Sequence, residues 1–144
     1  KKGVTTIINW RKEDDSERRI VEDLGLRYYY IPITPAHPPG EEQAEKFLEI
    51  IEEVQNKGEK QYHHCLHGVG RCFTMNAAYL ITQGMPAEQA IEEGLKLAKC
   101  WPIEQEEKLK EQGIKLEEAG LNSFTPQFDF LRNFELLYLR KMLR

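Results

Sequence analysis

Val4 to Trp10 (VTTIINW) is rich in β-branched and aromatic residues and predicts a strand. The charged stretch after it opens on Asp14, Asp15 and Ser16, residues that favour a helix start. It sets Ile20, Val21 and Leu24 on an inward face before Gly25 stops the helix. Leu26 to Ile33 (LRYYYIPI) predicts a second strand, which Pro32, Pro35, Pro38 and Pro39 break up into a rigid loop. From Glu41 to Lys57 the apolar positions Ala44, Phe47, Leu48, Ile51 and Val54 recur on one face, as in an amphipathic helix. Gly58 ends that helix, and Lys60 to Leu66 predicts a third strand.

Strands alternating with helices in this way predict right-handed crossovers and a parallel sheet, with ligands beyond the carboxyl ends of the strands. The rest of the chain reads as helix over Gly70 to Thr82, Pro86 to Lys99, Ile103 to Gln112 and Pro126 to Leu143. Gly84-Met85-Pro86 and Trp101-Pro102 punctuate these helices, the prolines standing at the tolerated first-turn position. Phe128, Leu131, Phe134 and Tyr138 form a helical stripe that reads as core. The expected fold class is therefore α/β, a central mostly parallel sheet flanked by helices with a helical C-terminal part.

At 144 residues the chain suits one domain spanning 1–144. Its opening, Lys1-Lys2-Gly3, runs straight into a strand, so upstream sequence is expected. The formal net charge of −4 and pI near 5.7 give no basic footprint, which argues against nucleic acid and anionic membrane as partners. No apolar run approaches the roughly 18 to 20 residues that span a bilayer, so no membrane insertion is expected. Cysteines at 65, 72 and 100, odd in number and widely spaced, form no secreted-type disulfide framework and point to a reducing cytoplasm. Cys100, beside Trp101, reads as a buried apolar residue.

Between the third strand and the next helix lies His64-Cys65-Leu66-His67-Gly68-Val69-Gly70-Arg71. Glycines at 68 and 70 let Leu66, His67, Gly68, Val69 and Gly70 close into a nest of backbone N–H groups aimed at one anion. The following helix adds its N-terminal dipole, so the site suits a phosphate. The same field favours a thiolate and can bring a cysteine from a pKa of roughly 8.5 to between about 3.5 and 7.5. Cys65 is thus the candidate nucleophile, and Arg71 the planar fork for two phosphate oxygens.

His64, Cys65, Gly68, Gly70 and Arg71 resemble the signature of the cysteine-based protein tyrosine and dual-specificity phosphatases, His-Cys, five residues, Arg, then Ser or Thr. The resemblance covers roughly residues 3 to 140 in outline. It implies a phosphotyrosine-phosphatase-like fold, a phosphocysteine on Cys65, phosphoryl binding by Arg71 and a loop oriented through hydrogen bonds of His64. Two positions depart from the family. Cys72 stands where a hydroxyl usually stabilises the departing thiolate, which implies slow turnover or a disulfide with Cys65 if their Cα atoms lie within about 7 Å. The loop Ile33-Thr34-Pro35-Ala36-His37-Pro38-Pro39-Gly40 lacks the aspartate that usually acts as general acid. His67 is the preferred replacement, since the related myotubularin group carries an acid at that loop position, and His37 is the next. Glu41 and Glu42 read as first-turn helix residues.

Two other chemistries compete for the same residues. His63, Cys65, His67 and Cys72 are all possible zinc ligands, but their spacing matches no common zinc pattern and zinc gives no reason for Arg71 or the glycines. His63 reads more simply as a structural hydrogen-bonding residue. A rhodanese-type sulfurtransferase also sets a reactive cysteine in an anion-binding loop, but His64 and the five-residue gap to Arg71 favour the phosphatase. The expected activity is hydrolysis of phosphate monoesters, on a phosphoprotein (phosphotyrosine included) or a small molecule, with no metal and no organic cofactor. The alternative is a catalytically weak pseudophosphatase that binds phosphoresidues. Uncharged Leu66 and Val69 argue against highly phosphorylated inositols.

Overall fold

A computed structural model describes residues 3–35, 37–65, 70–97, 107–114 and 125–143. Three strands, β1 (Val4–Arg11), β2 (Arg27–Ile33) and β3 (Lys60–His64), form one sheet in the order β2-β1-β3. Both pairings are parallel, with Ile8 opposite Tyr29 on one side and His63 on the other. All three strands therefore end on the same edge. Pro32 lies inside β2 rather than ending it, and it is tolerated there because β2 is an edge strand.

Helices α1 (Arg18–Asp23) and α2 (Glu41–Asn56) make the two crossovers. The C-terminal part is helical, with α3 (Gly70–Thr82), α4 (Ala87–Leu97) and α5 (Thr125–Met142), and a further helical turn over 107–111. Glu41 and Glu42 occupy the first turn of α2. The backbone N–H of Gly40 donates to Gln43 Oε1 at 2.6 Å, and Gln43 Nε2 donates to the Pro32 carbonyl, so the end of β2 fixes the start of α2. Cys100, Trp101 and the first part of the helix expected over 103–112 fall outside the described residues.

One core joins the layers. Ile8 and Trp10 of β1, Ile31 and Ile33 of β2, Phe47, Ile51 and Val54 of α2, Phe73, Ala77 and Ile81 of α3, and Leu131 and Phe134 of α5 are all buried. Phe128 and Tyr138 pack partly buried against it, so the expected stripe does face inward. A Cβ on Gly94 of α4 would meet the Phe73 ring at 3.1 Å, so glycine there lets α4 close on α3. The Tyr138 hydroxyl donates to the Thr82 carbonyl at 2.9 Å and pins α5 to the end of α3.

The first helix is shorter than its sequence suggests. Asp14 turns its carboxylate onto the Ser16 N–H at 2.8 Å, and Asp15 accepts from the Tyr28 hydroxyl at 2.7 Å, so neither starts a helix at 14. The helix starts instead at Arg18, leaving a turn and a half. Only Val21 reaches the interior, while Ile20 and Leu24 are 65% and 70% exposed. Gly25, at φ +75°, provides the left-handed turn that ends it.

Candidate active site

Because the strands are parallel, the segments after β1, β2 and β3 meet along the carboxyl edge of the sheet. Cys65 directly follows β3, partly buried against the core, and Arg71 lies in the first turn of α3. Leu66, His67, Gly68 and Val69, which join them, lie outside the described residues. The structure thus describes both ends of the candidate phosphate loop. At one end is the candidate nucleophile and at the other the candidate fork.

Arg71 is only 6% exposed, and its two terminal nitrogens find partners on the sheet edge. Nη1 donates to Glu13 Oε2 at 2.7 Å, to the Ile33 carbonyl at 3.1 Å and to the Trp10 carbonyl at 3.4 Å. Nη2 donates to Glu13 Oε1 at 2.7 Å. A buried guanidinium needs such compensation, since an unpaired one loses its hydration for nothing. The hydrogen bonds from Arg71 hold the Glu13 carboxyl well below the usual carboxylate range, at about 2, with desolvation working against them. Reciprocally, Glu13 raises the proton affinity of Arg71, and the nearby Cys65 and Cys72 sulfurs add to the effect. Glu13 was not among the residues the sequence singled out. Its one signal was an acidic group just past a strand end, on the edge where a parallel sheet binds ligands.

The two histidines before Cys65 point to different partners. The indole N–H of Trp10 donates to Nδ1 of His63 at 2.7 Å, and His63 also bonds the side chain of Asn76. An indole N–H can only donate, so Nδ1 carries the lone pair and the neutral ring holds its proton on Nε2. His64 instead pairs its Nε2 with Glu17 Oε1 at 2.5 Å and stacks on Tyr62. Glu17 also lies 3.5 Å from Arg11 Nη2. Among the described residues the hydrogen bond of His64 therefore runs to the segment after β1.

Burial lowers the His63 pKa to about 4, against a smaller opposing effect from Asn76. The unfolded ring takes its proton near pH 6.5 and the folded ring only near 4, so the unfolded state binds more protons between those values. Stability from His63 is complete above about pH 6.5, falls as the pH drops toward 4 and levels off below. Glu13, with its carboxyl near 2, acts in a lower window, losing its contribution as the pH falls from about 4.5 toward 2. Urea unfolding at a series of pH values should show both slopes, and His63→Gln should flatten the upper one alone. An unchanged upper slope would show that His63 is solvated in the native protein.

Cys72 is buried, and its thiol is pushed far up by a side-chain hydrogen bond to Cys65 together with desolvation. It is a protonated donor facing the Cys65 sulfur. His37 is exposed, with Nδ1 at 2.8 Å from the Pro35 carbonyl. A carbonyl only accepts, so Nδ1 bears the proton. Among the described residues no group of three or more His, Cys, Asp or Glu side chains is placed to hold a metal ion. None of the described helices is long and apolar enough to cross a membrane.

Several solved structures share this architecture. Tk-PTP in its active form superposes with a TM-score of 0.68 at 21% identity, covering 92% of this chain and 79% of Tk-PTP. Kinase associated phosphatase, with its catalytic-site cysteine replaced by serine, gives 0.64 at 17% identity over 95% of this chain and 71% of its own. P. aeruginosa TpbA in complex with pTyr gives 0.52 at 19% identity over 92% and 74%. At these identities the likeness establishes a phosphotyrosine-phosphatase-like fold. Residues 1–85, more than half of the chain and inclusive of Cys65 and Arg71, match the model of the family described as "Tc-R-P: Polymorphic toxin system, DSP-PTPase phosphatase". The fold, the edge site and this match together place the chain in the DSP-PTPase phosphatase family of polymorphic toxin systems.

Proposed function

We propose that the chain hydrolyses phosphate monoesters through a phosphocysteine on Cys65, acting on a phosphoprotein, phosphotyrosine included, or on a small phosphorylated molecule. The observation that carries this reading is the meeting of Cys65 and Arg71 on the carboxyl edge, with the sulfur close enough to act on the guanidinium. In the first step the Cys65 thiolate attacks phosphorus. An S–P bond forms as the ester P–O bond breaks, and its electron pair leaves on the oxygen, which takes a proton. In the second step water attacks phosphorus and gives a proton back to the group that protonated the leaving oxygen, the S–P bond breaks with its electron pair on sulfur, and phosphate and the thiolate are released.

Arg71 and the N–H groups of residues 66 to 70 would hold the phosphoryl oxygens, most tightly at the transition state. His64, through Glu17, would set the direction in which Cys65 leaves β3. Cys72 would donate to the departing thiolate, more weakly than a hydroxyl. Glu13 is excluded as the acid, because its carboxyl near 2 holds no proton at neutral pH. His67 is the first choice for that role and His37 the second. The proposed place of action is the cytoplasm.

Cys65→Ser should abolish hydrolysis of an aryl phosphate while inorganic phosphate still binds, because the swap removes the thiolate and keeps the nest. Activity retained in that variant rules out the phosphocysteine. A parent that binds phosphate without turnover favours the phosphoresidue-binding module. The family's toxin description extends the same comparison to living cells: expression of the parent in a bacterial cytoplasm should slow growth, and Cys65→Ser should not.

A further inference from the structure

α5 carries apolar side chains on two faces. Leu131 and Phe134 are buried in the core and Tyr138 packs partly buried beside them, which accounts for one face. Leu136, Leu139 and Leu143 lie on the other, and they are 55%, 48% and 88% exposed. Leu143 follows the last residue of the helix, but its N–H still donates to the Leu139 carbonyl at 3.1 Å, so it stays in the same row. The water-facing side of an amphipathic helix is ordinarily polar. Earlier in α5 it is so. There the same row passes through Asp129 and Arg132, and Arg132 bridges to Glu88 of α4 at 2.6 Å and to Asp129 at 3.2 Å. The last two turns present leucine instead.

The spacing of this row, three residues and then four, is that of a coiled-coil seam, with Leu136 and Leu143 at a positions and Leu139 at d. Such a seam is complementary to a helix with the same spacing. Glu135 and Arg140 flank the row on opposite sides, in the g and e positions, and neither pairs with a described residue of its own chain. When two such helices run parallel, a g residue meets the e residue five positions later in the other helix, and opposite charges there set the orientation. Glu135 and Arg140 have that separation and those charges. We propose that this face of α5 binds a second copy of the chain: the two α5 helices run parallel about a two-fold axis, with Leu136, Leu139 and Leu143 of each in the seam. Glu135 of each copy then pairs with Arg140 of the other, the reciprocal contact that a two-fold axis makes twice. An antiparallel arrangement would set each flanking row against itself and leave both charges unmatched. Three leucines a side make a small interface, so the dimer is weak and concentration-dependent. The seam includes none of the residues of the phosphate site, and each copy keeps its own.

Sedimentation equilibrium of the whole chain under reducing conditions, from about 10 µM to about 1 mM, should show monomer passing to dimer. Leu139→Glu removes a leucine from the middle of the seam in each copy and sets two like charges there, and it should weaken association at least about a hundredfold. Its hydrolysis of an aryl phosphate should match the parent's. Glu135→Arg and Arg140→Glu each turn two attractions into two repulsions and should each weaken association roughly fivefold to thirtyfold. The double charge swap should return it close to the parent's. If thermal unfolding shows Leu139→Glu to be misfolded, the charge variants carry the comparison. A parent that stays monomeric at the highest concentration overturns the proposal and leaves the face to a partner of different sequence. A dimer that survives Leu139→Glu uses another surface and overturns it too. Charge variants whose losses add, with no recovery in the double swap, overturn the parallel pairing.

Discussion

Arg71→Lys should lower kcat/KM for an aryl phosphate on the order of a hundredfold to a thousandfold, the cost of removing an oxyanion-stabilising donor from a preorganised site. Arg71 holds Glu13 and the carbonyls of Trp10 and Ile33, and in the proposed reaction it would also have to grip the phosphoryl oxygens. A lysine ammonium is a single point with three donors. Drawn back to Glu13 it abandons the phosphate, and drawn forward it leaves the Ile33 and Trp10 carbonyls without their donor. The variant should therefore lose stability as well, by about 1–3 kcal/mol for buried acceptors left unsatisfied. Steady-state kinetics and urea unfolding read the two effects separately. A lysine variant within roughly threefold of the parent in kcat/KM would show that charge alone, without the fork, suffices at this position.

How much of this site could be read from the sequence depends on the range of each interaction. The apolar period of α2 and the edges of α3 are local facts, and the sequence-based helix over Gly70 to Thr82 coincides with the one observed. The order β2-β1-β3 follows from two crossovers that each return to a parallel neighbour of β1. Cys65 and Arg71 were legible because one short loop carries both. Glu13 was not, since it meets Arg71 across 58 positions of chain and nothing in hydrophobic periodicity says which acid will turn back to which guanidinium. The acidic run itself was read as a helix start. The Tyr28 hydroxyl, arriving from β2, takes Asp15 instead, and that tertiary bond moves the helix to Arg18 and turns Ile20 outward. Alternation in β3 likewise left the partner of His63 open. The indole that fixes its tautomer lies 53 positions earlier.

Trp10 gathers these long-range contacts, and its truncation should be the largest single loss of stability, about 3–5 kcal/mol for Trp10→Ala. The ring is fully buried, edge-on to Phe47 at 5.6 Å, while its N–H goes to His63 and its carbonyl to Arg71. Trp10→Phe separates these roles. The smaller ring still fills most of the space and the backbone carbonyl stays, but Nδ1 of His63 loses its donor, a cost of about 1–3 kcal/mol at a desolvated acceptor. The pH dependence identifies the cause. In the parent, protonating His63 requires breaking the bond from Trp10. Burial remains the main cause that holds the His63 pKa down to about 4, but without that bond the pKa should rise part of the way, and the stability lost between pH 6.5 and 4 should shrink accordingly. A double-mutant cycle with His63→Gln should show coupling between the two positions. If Trp10→Phe lowers stability by the same amount at pH 7 and at pH 5, the loss is packing alone and the indole bond holds no proton off His63.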